Sequence, residues 1–279
     1  IPRGLELATL YSLSQLQFVQ ENYRESIEYL DKWFELNPAE PGPRPYVFKA
    51  QVLYSMEDYR GGIPVIQTAM DKARQAGQPV EENWWLLLRV FHYELENWSE
   101  VLDILEILVR EFPKREYWVQ LAGVYGQEEM TDKQIATMEA AYIQGHLDRE
   151  RDILNYTGLL MQEGVPARAA RILARAIENG VVEDNAKNLQ MLGQAWQISA
   201  ETERAIPVFE DAAEKSEEGD SYARLAQLYL DRDDHEAAIR AADLAFEKGG
   251  LRNETDIYVV KGMSLFETDR LDEALRAFR

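Results

Sequence analysis

Cysteine is absent from the 279 residues, which removes disulfides, thiolate metal sites and thiol catalysis while leaving the compartment open. Histidine is almost as scarce. His92, His146 and His235 are the only three, none of them paired at metal-ligand spacing and none in an H-E-x-x-H pattern, so no catalytic zinc site is expected. No glycine-rich stretch has the form of a phosphate loop, and Gly61-Gly62 falls inside a predicted helix. The acidic run Glu210 to Asp220 lacks the alternating ligands and central glycine of a calcium loop and reads as a solvated helix end. No run approaches the roughly 20 apolar residues that cross a bilayer, and Ile1-Pro2-Arg3-Gly4 shows no signal-peptide pattern, so no direct membrane insertion is expected in this segment. Basic residues are in deficit, 30 against 50 acidic, and a net charge of −20 argues against binding nucleic acid or an anionic membrane surface. That charge suits basic partner segments, and equally an ordinary solvated surface. No cofactor and no enzymatic constellation emerge.

What is present is a repeat. Asn22-Tyr23-Arg24-Glu25-Ser26-Ile27 aligns with Asp58-Tyr59-Arg60-Gly61-Gly62-Ile63 and with Asn97-Trp98-Ser99-Glu100-Val101-Leu102. The register recurs eight times, with markers at Tyr23, Tyr59, Trp98, Thr131, Pro166, Thr202, His235 and Leu271, at spacings of 33 to 39 residues. Three residues after the marker stand Ser26, Gly62, Val101, Gln134, Ala169, Ala205, Ala238 and Ala274, mostly small. Nine residues before it stand Ser14, Ala50, Ala122, Thr157, Gly193, Ala226 and Gly262, with Arg89 as the exception. Two small faces let a helical hairpin close. Leu13, Leu121, Leu192 and Leu225 beside the small site, and Tyr125, Trp196 and Tyr229 a turn later, supply the bulk, each worth roughly 1.5–3 kcal/mol when buried. Gly145, Gly180 and Gly249 follow the second helices as stops.

Leu192-Gly193, Trp196, Ala205, Phe209 and Ala212 stand at the spacing of the tetratricopeptide (TPR) signature, W-x2-L-G-x2-Y followed by A-x3-F, and the chain resembles that family over nearly its whole length. The resemblance implies an all-α, α-solenoid fold: a right-handed superhelix of antiparallel helix pairs with a concave groove lined mainly by first helices. The expectation is a single solenoid over residues 1–279, with repeats near 7–40, 43–76, 82–114, 115–148, 150–183, 186–218, 219–252 and a truncated 255–279.

Several features break the pattern. Pro38, Pro41, Pro43 and Pro45 with Gly42 predict a stiff extended loop over 37–45, a candidate hinge. Pro64 and Pro207 share one repeat position in the second turn of a second helix, where each should kink it. Trp84, Trp85 and Trp98 cluster in the third repeat and read as core, while Arg89 either snorkels past its neighbours or is presented by an opened geometry. Leu275 and Phe278 would face a following helix, so self-association through an uncapped C-terminal end is a possible partner mode. The chain lacks an initiator Met and stops within a helical pattern, which reads as a segment of a longer protein, its missing ends able to carry a leader, anchor or cap.

Taking the TPR geometry as implied, the groove should be lined by Tyr11, Gln15 and Phe18, by Val47, Gln51 and Tyr54, and by Leu86, Val90 and Tyr93, with Leu154, Met161, Gln190, Gln194 and Gln227 in later repeats. Amides there can pair with the backbone of an extended peptide while aromatics and Met161 offer apolar pockets. The Lys and Asn cluster with which chaperone-type TPR domains clamp a terminal carboxylate is missing, its positions holding Tyr11, Gln15, Val47 and Gln51; Arg44 and Lys187 are the nearest isolated cations.

Glu82-Asn83-Trp84-Trp85-Leu86-Leu87-Leu88, Lys114-Arg115-Glu116-Tyr117-Trp118-Val119-Gln120-Leu121, Asn185-Ala186-Lys187-Asn188-Leu189, Ala205-Ile206-Pro207 and Glu247-Lys248-Gly249-Gly250-Leu251 resemble phrases of bacterial TPR proteins associated with TonB, ExbB and ExbD energy-transduction systems. That resemblance implies a periplasmic accessory to outer-membrane uptake of iron chelates, with TonB-complex components as partners. A self-assembling structural TPR protein and a cytoplasmic adaptor with an unrelated partner are the alternatives.

Overall fold

The computed structural model describes residues 2–37 and 39–279, so Ile1, and Pro38 of the expected stiff loop, lie outside the described residues. Among the described residues there are sixteen helices and no strand, in two compact units, Ile1–His146 and Leu147–Arg279. The first holds α1 (Arg3–Val19), α2 (Tyr23–Leu36), α3 (Pro43–Ser55), α4 (Tyr59–Gln75), α5 (Glu82–Glu94), α6 (Trp98–Glu111), α7 (Arg115–Gln127) and α8 (Thr131–Ile143). The second holds α9 (Glu150–Gln162), α10 (Pro166–Glu178), α11 (Ala186–Ile198), α12 (Thr202–Lys215), α13 (Asp220–Leu230), α14 (His235–Lys248), α15 (Glu254–Glu267) and α16 (Leu271–Ala277). Each of the eight sequence markers is the first residue of an even-numbered helix. Within each unit a helix packs on its hairpin partner, and each second helix packs on the first helix of the next hairpin.

The turn inside every hairpin has one geometry. The residue two before the marker has a positive φ, and the next N–H donates to a carbonyl five residues back at 2.8–2.9 Å, as from Asp58 to Leu53, Met130 to Tyr125 and Val165 to Leu160. This left-handed closure satisfies carbonyls that the ending helix leaves open. Only Gly164 fills the position with glycine; Glu21, Glu57, Glu96, Glu129, Ala200, Asp233 and Asp269 hold it elsewhere, each against a steric cost of roughly 1–2 kcal/mol. Among the stops after second helices are the expected Gly145, Gly180 and Gly249, and also Gly77 after α4, all at positive φ.

The small positions are where the helices meet. Ser14 and Ser26, both fully buried, are joined reciprocally: each hydroxyl donates to the other residue's carbonyl at 2.8 Å. In the sixth hairpin a Cβ built on Gly193 would lie 2.9 Å from the ring of Phe209, and in the eighth one on Gly262 would lie 2.6 Å from that of Phe278. Phe278 therefore seats part of its ring on its own hairpin, although it and Leu275 remain about half exposed. Large side chains fill the space around these contacts: Phe91, Leu105 and Leu108 in the first unit, Leu160, Leu173 and Phe209 in the second, all buried.

Two local expectations change. Pro43 opens α3 and Pro45 lies in its first turn, so the extended segment ends at Gly42; a proline at the first helical position loses only an N–H that has no helical partner. The acidic run is not merely solvated: Glu210 accepts from Tyr229 at 2.7 Å and Asp220 pairs with Arg252 at 2.8 Å, each tying one hairpin to the next. Trp84 is buried in the core as expected, while Trp85 is half-buried beneath the Arg74 guanidinium.

Gly62→Ala and Gly123→Ala should move stability in opposite directions. A Cβ on Gly62 would lie 2.4 Å from the fully buried ring of Phe91, an overpacking worth about 1–3 kcal/mol of destabilisation. One on Gly123, inside α7, meets nothing within 4 Å, so Ala there should stabilise by up to ~1 kcal/mol through helix propensity. Chemical denaturation of the two variants checks the contrast, and equal shifts would contradict it.

Candidate functional site

The first helix of each hairpin carries two sets of positions. Those fourteen, ten, nine, seven and six residues before the marker mostly go into the core from α3 onward, as Trp84, Leu88, Phe91 and His92 do on α5, whereas Thr9 and Leu16 of α1 stay exposed. Those twelve, eight and five before it fall on another face and stay half-buried or exposed. In the first unit this second set meets across α3 and α5. Val47, Gln51 and Tyr54 from α3 and Leu86 and Val90 from α5 line one open cavity of about 520 Å³, together with Arg44, Phe48, Glu81, Asn83, Trp84 and Leu87. Its floor is apolar, and its polar groups are an amide at Gln51, another at Asn83 and charges of both signs at Arg44 and Glu81. Such a surface offers apolar contact to a side chain and donor–acceptor pairs to a peptide backbone.

Other groove candidates lie elsewhere. Tyr11 stacks obliquely on Trp33 at 5.2 Å and meets Phe48 edge-on at 5.9 Å, and Phe18 packs against Tyr23 and Phe48, both at 5.6 Å. These rings belong to an aromatic cluster between α1, α2 and α3, and burial raises the Tyr11 phenol pKa. Gln15 is exposed beside them, and Tyr93 stands half exposed with its ring 5.2 Å from Trp98.

In the second unit Gln190, Gln194 and Gln227 share a smaller cavity of about 220 Å³ with Asp220, Ser221, Arg224, Arg252, Asn253 and Asp256. Gln190 donates to the Ser221 hydroxyl at 2.8 Å and Gln227 to Asp231 at 2.7 Å, whereas Gln194 is exposed. Leu154 and Met161 are half-buried on α9 and line neither cavity.

The lining residues missed from the sequence follow a rule of their own. Arg44, Asn83, Asp220 and Asp256 stand fifteen residues before their markers, and Phe48, Leu87, Arg224 and Val260 eleven before. Both positions lie one helical turn from the expected set, so widening the register by one turn would have found them.

Arg89, at a position otherwise small, is half-buried and donates to Gln120 of α7, and its Nε is buried without a partner. Desolvation holds its pKa below the usual guanidinium range. Nearby, Glu82 accepts from Lys114 at 2.6 Å and from the Tyr117 hydroxyl; the Lys114 and Tyr117 hydrogen bonds depress its pKa, while burial and then the carboxylate raise Tyr117 to about 12. A repeated staple joins hairpins as well. Asp31, Glu106, Glu210 and Asp243, each eight residues after a marker, accept from the following first helix, from Lys49, Tyr125, Tyr229 and Lys261 respectively. No group of three or more His, Asp or Glu side chains among the described residues is placed to hold a metal ion, and no described helix is long and apolar enough to cross a membrane.

No family model and no curated protein matches the sequence. Among solved structures, a chain of Naa15/Naa10 bound to HypK-THB is similar over 93% of this chain and 39% of its own length, with TM-score 0.57 and 13% identity. The MamA protein is similar over 59% of this chain and 87% of its own, with TM-score 0.50 and 19% identity. A tetratricopeptide repeat protein from Parabacteroides merdae ATCC 43184 gives TM-score 0.47 at 15% identity over 94% of this chain and 99% of its own. At such identities the likeness is one of fold. With the repeating hairpins and their register, the fold is an all-α solenoid of TPR type.

Burial and then the carboxylate hydrogen bond push Tyr125 and Tyr229 to about 12, against an ordinary value near 10. A phenol whose pKa is raised by folding contributes stability that is whole below about pH 10 and is lost as pH climbs through 12. Tyr125→Phe and Tyr229→Phe should each cost about 1 kcal/mol at neutral pH and flatten the fall in stability between pH 10 and 12. Denaturation midpoints across that range check this; alkaline limbs unchanged from wild type would contradict it.

Proposed function

We propose that the chain is a non-catalytic scaffold that holds an extended segment of another protein against the first helices of its hairpins. The observation that carries the reading is the convergence of Val47, Gln51, Tyr54, Leu86 and Val90 on one cavity. Gln51, Tyr54 and Val90 stand outside the first unit's core cluster, while Val47 and Leu86 pack at its edge. Tyr54 keeps 44% of its surface exposed, an amphipathic ring placed at an open rim. An extended segment would lay alternate side chains on Val47, Leu86 and Val90 and present its amides to Gln51 and Asn83. The helical-repeat chain in the Naa15/Naa10 structure bound to HypK-THB gives precedent for the fold within a protein assembly.

For the partner we propose a component of a TonB-type energy-transduction complex, and with it a periplasmic location. The support is the likeness of phrases such as Glu82 to Leu88 and Lys114 to Leu121 to those of TPR proteins associated with such systems. A second reading, self-assembly, is favoured by Leu271, Leu275 and Phe278, which are 57, 53 and 52% exposed on one terminal hairpin.

A photo-crosslinking residue at Tyr54, introduced into the full-length protein in its native cells, separates these readings. Crosslinks to TonB-complex proteins, reduced at least about tenfold by Val90→Glu at unchanged thermal stability, are expected for a groove anchor. Crosslinks only to other copies of the chain, or only to cytosolic proteins, would contradict the TonB assignment, and labelling indifferent to Val90→Glu would contradict the groove.

A further inference from the structure

The second unit carries an apolar surface whose surroundings specify the charge of what it takes. On α15, Val259 and Met263 are 42 and 47% exposed, and together with Leu230 and Val260 they form the apolar part of an open cavity of about 650 Å³ between α13 and α15. Four carboxylates, Asp231, Asp233, Asp256 and Glu267, stand around it. Some acidic side chains of this unit are answered by cations: Asp220 by Arg252, Asp243 by Lys261, Glu203 by Arg232 and Glu273 by Arg270. The cavity's carboxylates are not. Among the described residues Asp231 accepts only from the Gln227 amide and Asp256 only from the Asn253 amide, at 2.7 and 2.6 Å, and none of the four has an ion-pair partner.

Four negative charges left together beside exposed apolar surface repel one another, and a cationic occupant would relieve that. The occupant is not a metal ion, because no three such side chains converge on one point among the described residues. The charges border an apolar floor, so the occupant's cation must sit beside an apolar group.

We infer that this cavity takes a basic, extended protein segment, with an apolar side chain seated on Val259 and Met263 and an adjacent Lys or Arg reaching Asp231 and Asp256. The inference rests on the scaffold reading and gives the partner its chemistry: a basic, apolar-flanked segment in the second unit. Gln227 lines both this cavity and the amide-rich one beside it, so the two form a continuous track.

The test is fluorescence anisotropy of the full chain with a labelled twelve-residue peptide in which Leu and Lys alternate with Ser, beside versions with every Lys replaced by Glu or by Gln. The Lys peptide should bind at least about tenfold tighter than the Glu version, and its affinity should fall steeply with salt. Asp231→Asn with Asp256→Asn should weaken it about tenfold, as expected for two ion pairs at an open site, while the melting temperature stays within a few degrees. Glu178→Gln with Asp211→Asn, two exposed acids of the second unit outside both cavities, should leave it unchanged. Binding lost through Val90→Glu but retained in the double variant would overturn this inference and leave the scaffold reading standing. Failure of all three peptides to bind would overturn both. Concentration-dependent dimerisation abolished by Met263→Glu would assign the surface to a second copy and overturn the inference as well.

Discussion

Close approach at two small positions is the constraint on which the rest depends. In most hairpins the first helix is small nine residues before the marker and the second is small three residues after it; the third, with Arg89 and Val101, closes without that pair. Ser14 and Ser26 meet this with paired hydroxyls, and Gly193 and Gly262 by giving a phenylalanine ring somewhere to lie. Once that contact fixes the rotation of each first helix, the remaining positions have no choice of face. Leu88 and Phe91 go inward, Gln51 and Val90 stay outside, and Val47 and Leu86 lie at the edge of the core. The candidate binding surface is thus a geometric consequence of how the hairpin is shut.

Packing outweighs charge in this arrangement. The ion pairs between hairpins, such as Lys114 with Glu82 and Lys215 with Asp184, are largely open to solvent, where each is worth at most about 1 kcal/mol. A single buried Phe91 or Leu105 contributes roughly 1.5–3 kcal/mol by area. The staples from Asp31, Glu106, Glu210 and Asp243 therefore act less as a source of stability than as a means of fixing register, because each reaches a defined residue on the next first helix. What the charges decide is the surface. A chain with 50 acidic and 30 basic residues pairs some acids between hairpins and leaves others unpaired, four of them around Val259 and Met263.

Most of the fold was legible because the repeat is written in residue size: every marker opens a second helix, and the small positions fall where they were expected. The hairpin turns were not legible. Their left-handed residue is glycine only at Gly164, and Glu57 or Asp233 in that role gives no local signal, since the closure is imposed by the packing on either side. Pro43 and Pro45 suggested a longer loop because a proline that starts a helix and one that prevents it look alike in sequence. The groove was partly legible. Register placed Val47, Gln51, Tyr54, Leu86 and Val90 together, but it said nothing of Trp33 and Phe48, which draw Tyr11 and Phe18 into an aromatic cluster. It also stopped one turn short of Arg44 and Asn83.

The account separates the residues that shut the hairpins from those left free to bind, and a saturation substitution scan of α3 and α5, scored in parallel for folded abundance and for retention of a displayed random peptide library, tests that separation most directly. Abundance should fall at Ala50, Leu53, Leu88 and Phe91, and peptide retention should fall at undiminished abundance for Gln51, Tyr54 and Val90. Loss of abundance spread evenly over both sets, or peptide retention indifferent to the second set, would contradict it.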